Sequence, residues 1–483
     1  MHKRIRLALA AGAAAALTGG LLTAGAGPAT AAPGADNDFN GDGRSDVAVS
    51  AGDAYVAGHK GAGQIVVLYG GVTPDHHKTV SQDTTGVPGS AEAGDGFGWG
   101  SAIGDFNHDG YSDLAVSASY EDVGSDVDGG TVAVMWGSAS GLTGGTTISD
   151  PAPTSHDKWG RTLAAGDFDG DGKDDLAVGS TSNTVYVFKA GISKSGTVGG
   201  RYTVKTPVQS GTTAGPLNLT AGDVNDDGRE DLIVNGFEAA GSSHWNTNYY
   251  VPGSATGLRA SSAVKLQGGM SSAVGDVDGD GYGDIVIGVE WDSTSGVPGT
   301  VKGGRVHVVY GSATGPSGRT ASISQDSGAV PDTSEAGDAF GYELSLGDVN
   351  DDGFQDLAVG ADGEDTPNGM KDAGAVTILY GSAGGLDITN NVQFFHQDTQ
   401  GFPGSAEGGD RLGSDVQLVN TDGYGGADMV IGAMGENGNG MIAALENSMA
   451  TTKFSAYSAS VIDPSEVGVS TAGTPYFGAN FAN

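Results

Sequence analysis

Short apolar runs of strand length recur along the chain, each entered from a polar, glycine-containing loop. DLAVS, DLAVG, DLIVN, DIVIG and DMVIG are examples. Their β-branched content and length predict buried strands. A second run follows in most copies: GQIVVLYGG (63–71), GTVAVMWGS (130–138), NTVYVFKAG (183–191), GRVHVVYGS (304–312) and GAVTILYGS (374–382). Glycines and GS turns bound most of these, as antiparallel meanders require. Ahead of the loops, FGWGSAIGD (97–105), WGRTLAAGD (159–167), FGYELSLGD (340–348) and LGSDVQLVN (412–420) alternate apolar with polar and predict a first strand. A fourth strand is expected in segments such as TTISD (146–150) and ASISQD (321–326).

The loop between first and second strands is a nine-residue repeat. It reads DFNGDGRSD (38–46), DFNHDGYSD (105–113), DFDGDGKDD (167–175), DVNDDGRED (223–231), DVDGDGYGD (276–284) and DVNDDGFQD (348–356), with a degenerate seventh copy, NTDGYGGAD (420–428). Successive copies start 67, 62, 56, 53, 72 and 72 residues apart, enough for one four-stranded unit and too long for a nonapeptide β-roll. Seven such units predict an all-β fold, a seven-bladed β-propeller, because radial repetition buries sheet faces and leaves only short edges.

Composition agrees. Glycine supplies 87 of 483 residues, or 18%, which suits a chain dense in tight turns. There is no cysteine, so disulfides contribute nothing to stability. The N-terminus reads as an export signal over residues 1–31: a basic MHKRIR, a small-residue apolar stretch and the small-x-small ATA of Ala29–Ala31. The propeller is then expected over 32–483, in a secreted, extracellular protein. Removing the leader deletes Lys3, Arg4 and Arg6, so 19 basic residues face 59 acids, a formal charge of −40. That charge argues against nucleic acid and anionic lipid and favours divalent cations.

The aspartates show where such cations would sit. In D-x-[DN]-x-D-G-x-x-D, side chains at positions 1, 3 and 5 converge, the glycine at 6 permits the sharp turn, position 7 offers its carbonyl and position 9 closes with a carboxylate. The expected ligands are Asp38, Asn40, Asp42, Arg44 and Asp46 in loop one, and Asp105, Asn107, Asp109, Tyr111 and Asp113 in loop two. Loop three supplies Asp167, Asp169, Asp171, Lys173 and Asp175, leaving Asp174 as a solvated bystander; loop four supplies Asp223, Asn225, Asp227, Arg229 and Asp231. Loop five supplies Asp276, Asp278, Asp280, Tyr282 and Asp284, and loop six Asp348, Asn350, Asp352, Phe354 and Asp356. All-oxygen ligands in a flexible loop select Ca²⁺ over Mg²⁺. About six ions are expected, moving −40 to about −28. The seventh loop keeps Asn420, Asp422 and Asp428 but puts Tyr424 at position 5, and its occupancy is left open.

The FG ahead of each loop, the aspartate loop itself and the GAV-x-x-LYGS strand resemble FG-GAP repeats, the units of the integrin α-subunit propeller, found also in secreted bacterial proteins. The resemblance implies an extracellular binding or adhesion module with a protein or glycan ligand. The FG is lost from AGPLNLTAGD (214–223) and QGGMSSAVGD (267–276). Blade one lacks room for its own first strand before Asp38, whereas the chain ends in YFGANFAN (476–483). Aligning Phe477-Gly478 with Phe340-Gly341 puts Phe481 on Leu344, so the C-terminal strand is expected to complete blade one and close the ring.

No GxSxG or HExxH motif occurs. His76-His77 reads as a solvated turn and His108 as loop spacing. The expectation is a non-enzymatic monomer without a membrane span, with a lectin-like propeller, or a polysaccharide lyase or phospholipase-type hydrolase scaffold, as the alternative. Recognition is expected on the face opposite the aspartate loops, where the second-to-third connections emerge; Trp245, Tyr249, Tyr250 and Trp291 are the aromatic candidates there.

Overall fold

The computed structural model describes residues 37–239, 245–447 and 452–482; the expected leader, 1–31, lies outside them. Seven sheets follow one another along the chain. Blade one holds β1 (Val47–Ala51), β2 (Gln64–Leu68) and β3 (His77–Val80). Blade two holds β4 (Gly100–Gly104), β5 (Asp113–Ala118), β6 (Thr131–Trp136) and β7 (Thr143–Thr147). Blade three holds β8 (Leu163–Gly166), β9 (Asp175–Val178), β10 (Thr184–Lys189) and β11 (Gly200–Lys205). Blade four holds β12 (Pro216–Gly222), β13 (Asp231–Phe237), β14 (Asn246–Val251) and β15 (Val264–Lys265). Blade five holds β16 (Ser272–Gly275), β17 (Asp284–Val289), β18 (Arg305–Val309) and β19 (Thr320–Ile323). Blade six holds β20 (Leu344–Gly347), β21 (Asp356–Ala361), β22 (Ala375–Tyr380) and β23 (Asp387–Phe395). Blade seven holds β24 (Leu412–Val419), β25 (Asp428–Ala433), β26 (Met441–Leu445) and β27 (Ala459–Ile462).

Every pairing within a blade is antiparallel between chain neighbours, so each blade is a meander and the molecule is a seven-bladed propeller. Second strands such as β5, β17, β21 and β25 are buried along their whole length because both faces pack on adjoining blades. This is why they read as continuous apolar runs. Fourth strands lie at the rim, and β7 and β11 are largely exposed. The strand expected at 146–150 is centred earlier, at β7, and that at 321–326 ends at Ile323. His77 belongs to strand β3, half-buried, with its Nδ1 2.6 Å from the Pro74 carbonyl oxygen, so it is not a solvated turn residue.

Blades interlock through one repeated contact. A glycine with positive φ precedes the third strand in blades one, two, five, six and seven: Gly63, Gly130, Gly304, Gly374 and Gly440. The residue eight positions ahead of the next aspartate loop sits against it, as Phe97, Trp159, Phe340 and Leu412 do, and across the closure Phe477, which aligns with Phe340, does the same. A Cβ on any of these glycines would lie 2.1–2.6 Å from the carbonyl oxygen of its partner, closer than any side chain tolerates. The same large residues donate their N–H to the carbonyl just before the glycine, as Phe340 does to Gly303 at 2.8 Å and Phe477 to Asn439 at 3.1 Å. The FG of one blade and the glycine of the preceding blade are thus two halves of one joint.

Around blade four the halves are exchanged. The glycine position before the third strand is taken by Asn183 in blade three and Asn246 in blade four. The large-residue position becomes Gly215 and Gly268. A Cβ on Gly215 would meet the Ser180 carbonyl oxygen at 2.1 Å, and one on Gly268 the Asn246 carbonyl oxygen at 2.3 Å. At Gly268 the missing FG is therefore a swap of which strand carries the glycine, while Gly215 makes its close approach to Ser180, three residues before Asn183. Between blades four and five, buried Asn235, Asn246 and Asn248 fill the space with an amide network that also reaches the Gly269 carbonyl.

The C-terminal segment closes the ring. Phe481 pairs antiparallel with Val49, the register that Leu344 holds with Val359 in blade six. Ser50 donates to the Asn480 carbonyl at 2.8 Å and Ala482 to that of Ala48 at 2.9 Å. Phe477 and Phe481 are buried among Val47, Val49 and Val66 of blade one and Val430 and Ile442 of blade seven.

Candidate metal centres

Each aspartate loop sits where an innermost strand turns outward, and its shape is set by backbone amides folding onto position 1. Gly43, Gly110, Gly172, Gly228, Gly281 and Gly353, at position 6, all donate to Oδ2 of the position-1 aspartate at 2.6–2.8 Å. All six have φ between 75° and 90°, the left-handed region for which the motif needs glycine. Position 4 is left-handed too, and there it is filled by Gly41, His108, Gly170, Asp226, Gly279 and Asp351. His108 therefore bears a backbone demand beyond spacing. Asp42, Asp109, Asp280 and Asp352, at position 5, accept the N–H of position 7.

Position 9 performs one task in all seven blades. Asp46, Asp113, Asp175, Asp231, Asp284, Asp356 and Asp428 are buried, and each accepts the N–H of a residue following the third strand at 2.7–2.9 Å. This strap ties the loop to the adjoining hairpin. Burial pushes Asp46 and Asp113 up to about 8 and Asp175, Asp284 and Asp356 up to about 7, and nearby loop aspartates add to the shift. A cation in the loop would oppose that shift.

Oxygens of Asp167, Asp169 and Asp171 in loop three come within 4.8 Å of one another, as do those of Asp276, Asp278 and Asp284 in loop five. Among the described residues these are the groups of three carboxylates drawn so close. Asp175 stands outside the first triplet and Asp280 outside the second. Asp169 Oδ1, Asp278 Oδ1 and Asn225 Oδ1, all at position 3, are buried and accept no hydrogen bond from the protein. These hard oxygen donors fit a divalent cation such as Ca²⁺. The seventh loop differs: the Asn420 amide donates to the Gly425 carbonyl at 3.0 Å, inside the loop itself.

The loops are also joined to one another. Position 8 of one blade donates its N–H to the position-1 carbonyl of the preceding blade, as in Ser112 to Asp38, Glu230 to Asp167, Gln355 to Asp276, Ala427 to Asp348 and, across the closure, Ser45 to Asn420. Asp174 is no solvated bystander, because its carboxylate accepts the Asp105 N–H of the neighbouring loop at 2.7 Å. Glu230 does the same for Asp167 at 2.6 Å.

The opposite face looks different. Tyr249 and Tyr250 are buried within β14 and are unavailable for recognition; Trp245 and Trp291 are half-buried. The prominent aromatic site lies instead at the mouth of the axial channel, a cavity of about 550 Å³ lined by Trp99, Tyr342, Tyr476, Met434 and Arg411. Trp99 borders the channel as well, together with Arg161, Glu343, Asp415 and Asn480. These residues adjoin the starts of innermost strands, whose ends carry the aspartate loops. Sequence reasoning missed them because a residue beside an FG carries no periodic signal. Only the ring brings those strand starts together.

A propeller whose blades are pinned by aspartate loops and glycine joints is a repeat protein of one recognisable kind. The FG-GAP repeat matches residues 29–68, 97–135, 268–309 and 340–379, and an FG-GAP-like repeat matches 167–234. The chain is a seven-bladed propeller of FG-GAP repeats, with integrin α-subunits among its homologues. It is 30% identical to phosphatidylinositol-glycan-specific phospholipase D of Bos taurus over 178 residues, 37% of this chain and 19% of that protein. With integrin alpha-PS2 of Drosophila melanogaster it shares 27% over 243 residues, 44% of this chain and 16% of that one. The chain thus spans under a fifth of the length of both relatives. A solved exotype rhamnogalacturonan lyase overlays with a TM-score of 0.38 at 11% identity, covering 84% of this chain and 70% of its own, too loose a fit to bear on function. No helix among the described residues is long and apolar enough to cross a membrane.

Proposed function

We propose that this protein is a secreted binding module whose aspartate loops hold Ca²⁺ and whose recognition surface is the axial mouth on the opposite face. The mouth carries the reading: Trp99, Tyr342 and Tyr476 offer flat apolar faces beside the Arg411 guanidinium, a combination that grips a sugar ring or a protein side chain. The loops serve as staples. Ions bind the folded ring and stabilise it by mass action, holding the mouth in shape from a distance. Integrin α-subunits among the relatives support an adhesive role, and the phospholipase D named among them supports the use of such propellers beside other domains.

Glycan-array and cell-wall pull-down binding, with and without Ca²⁺, test this reading. Ligand capture that falls at least tenfold in Trp99→Ala or Tyr342→Ala, with folding intact, is the expected result. Capture indifferent to both substitutions, or product release from a polysaccharide, would overturn it.

A further inference from the structure

The six intact loops divide by their third position. Loops one, two, four and six carry Asn40, Asn107, Asn225 and Asn350; loops three and five carry Asp169 and Asp278. The side chains at positions 1, 3, 5 and 9 thus bring three negative charges in the first group and four in the second. In both loops of the second group a basic side chain of the same blade contacts the additional carboxylate. Lys189 Nζ bonds Oδ2 of Asp169, and Arg319 Nη1 bonds Oδ2 of Asp278. With that partner counted, loops three and five carry −3, the charge that the ligand side chains alone bring in the other four.

The two bases come from unrelated places. Lys189 ends β10, where Tyr69, Trp136, Tyr310 and Tyr380 stand in other blades. Arg319 precedes β19 and lies over the Tyr310 ring, 3.6 Å from its centroid. Two solutions to one problem argue against chance placement. The Asp169 and Asp278 side chains are 6% and 3% exposed, so these contacts are less screened than the pairs Lys194–Asp109 and Arg229–Asp227 at position 5. In both cases the base occupies Oδ2 and leaves Oδ1 buried and unpartnered. Asn225 shows the same division, its Oδ1 unpartnered and its Nδ2 3.5 Å from the Tyr250 hydroxyl. A based aspartate therefore presents what Asn225 presents: one free oxygen and no net charge.

We propose that Lys189 and Arg319 are built-in counter-cations that set the calcium affinity of loops three and five. They hold these loops together when calcium is scarce, and keep their affinity at the level of the asparagine loops. The proposal rests on the reading of the loops as calcium sites. Because ligand charge tunes calcium affinity, removing the base should strengthen binding while weakening the ion-free fold.

The test is the melting temperature in EDTA and in millimolar Ca²⁺, with calorimetric Ca²⁺ titration, for Lys189→Gln, Arg319→Gln and the paired variants Asp169→Asn/Lys189→Gln and Asp278→Asn/Arg319→Gln. The single variants should melt lower than wild type in EDTA, recover more on adding Ca²⁺, and bind it about tenfold more tightly at the altered loop. The paired variants should match wild type in both conditions. An equal melting loss with and without Ca²⁺ would make the bases merely structural and overturn the proposal. So would weaker or unchanged binding. A wild-type protein that takes up no calcium would remove the calcium reading, and this proposal with it; calcium uptake unaltered by the single variants would remove this proposal alone.

Discussion

The five joints built on Phe97, Trp159, Phe340, Leu412 and Phe477 and the two that flank blade four reach the same backbone approach by opposite means. In the first kind the preceding blade yields its side chain and the following blade supplies a large apolar residue. In the second, Gly215 and Gly268 yield, the one to the Ser180 carbonyl and the other to that of Asn246. The steric requirement belongs to the pair of strands, so either member can satisfy it. What changes is the filler: apolar burial in one kind, and in the joint between blades four and five an amide network, whose worth depends on every polar group being satisfied.

The closure joint allows the most severe test of that comparison. Deleting residues 474–483 removes Phe477 and Phe481, which are fully or nearly fully buried, and should cost about 6 kcal/mol or more. Guanidinium unfolding would measure the loss, and an unchanged midpoint would refute a closing role. Exchanging residues between the two kinds of joint comes next. Gly304→Asn forces a side chain into a φ of 87° and against the Phe340 carbonyl, and should cost about 3 kcal/mol or more. Asn246→Gly opens no clash and loses only hydrogen bonds, about 1–3 kcal/mol. If Asn246→Gly proves the costlier, the two joints are not exchanged versions of one contact.

A smaller effect should separate the joints by pH. Gln82 donates to Glu121, Gln325 to Glu364 and Gln397 to Glu436, each clasp joining two blades of the first kind. Burial pushes Glu121 up to about 7 and Glu364 up to about 8, with Asp95 and Asp338 adding to the shifts. The folded state therefore holds these protons more tightly than the unfolded chain, whose glutamates titrate near about 4.3. Stability contributed by the protonated clasps is full below that value and is lost as pH rises to about 8. In EDTA the melting temperature should fall over this range, in which the position-9 aspartates titrate as well, and Glu364→Gln should remove the share of the fall that its clasp contributes. A melting temperature that climbs from pH 5 to 8 would contradict the assignment.

Blade number, strand order and the aspartate loops were legible because each repeat restates the same alternation and the same nine-residue spacing. Phe481 could be aligned with Leu344 in advance, and its pairing with Val49 is the register that alignment implies. The exchange of glycines was not legible, although all its residues are in plain view, since it appears only when two sequence-distant strands are known to face each other. Tyr249 and Tyr250 read as loop residues in the sequence because no turn signal marks the start of β14 at Asn246. Asp174 looked solvated because its partner, the Asp105 amide, belongs to another blade. The aromatic mouth depends on geometry alone: Trp99, Tyr342 and Tyr476 are far apart in the chain and meet only around the axis.

Pairing Val49 with Phe481 links residues separated by 481 − 49 = 432 positions. Contacts of that span form late, since six intervening blades must be in place before the ends can meet. Until then β1 is an uncovered edge, a run of valine and alanine with open backbone groups on its inner side. Such an edge is a template for pairing with another chain. Any chain whose first blade forms before Phe481 arrives leaves that edge open, and the closing strand is what covers it.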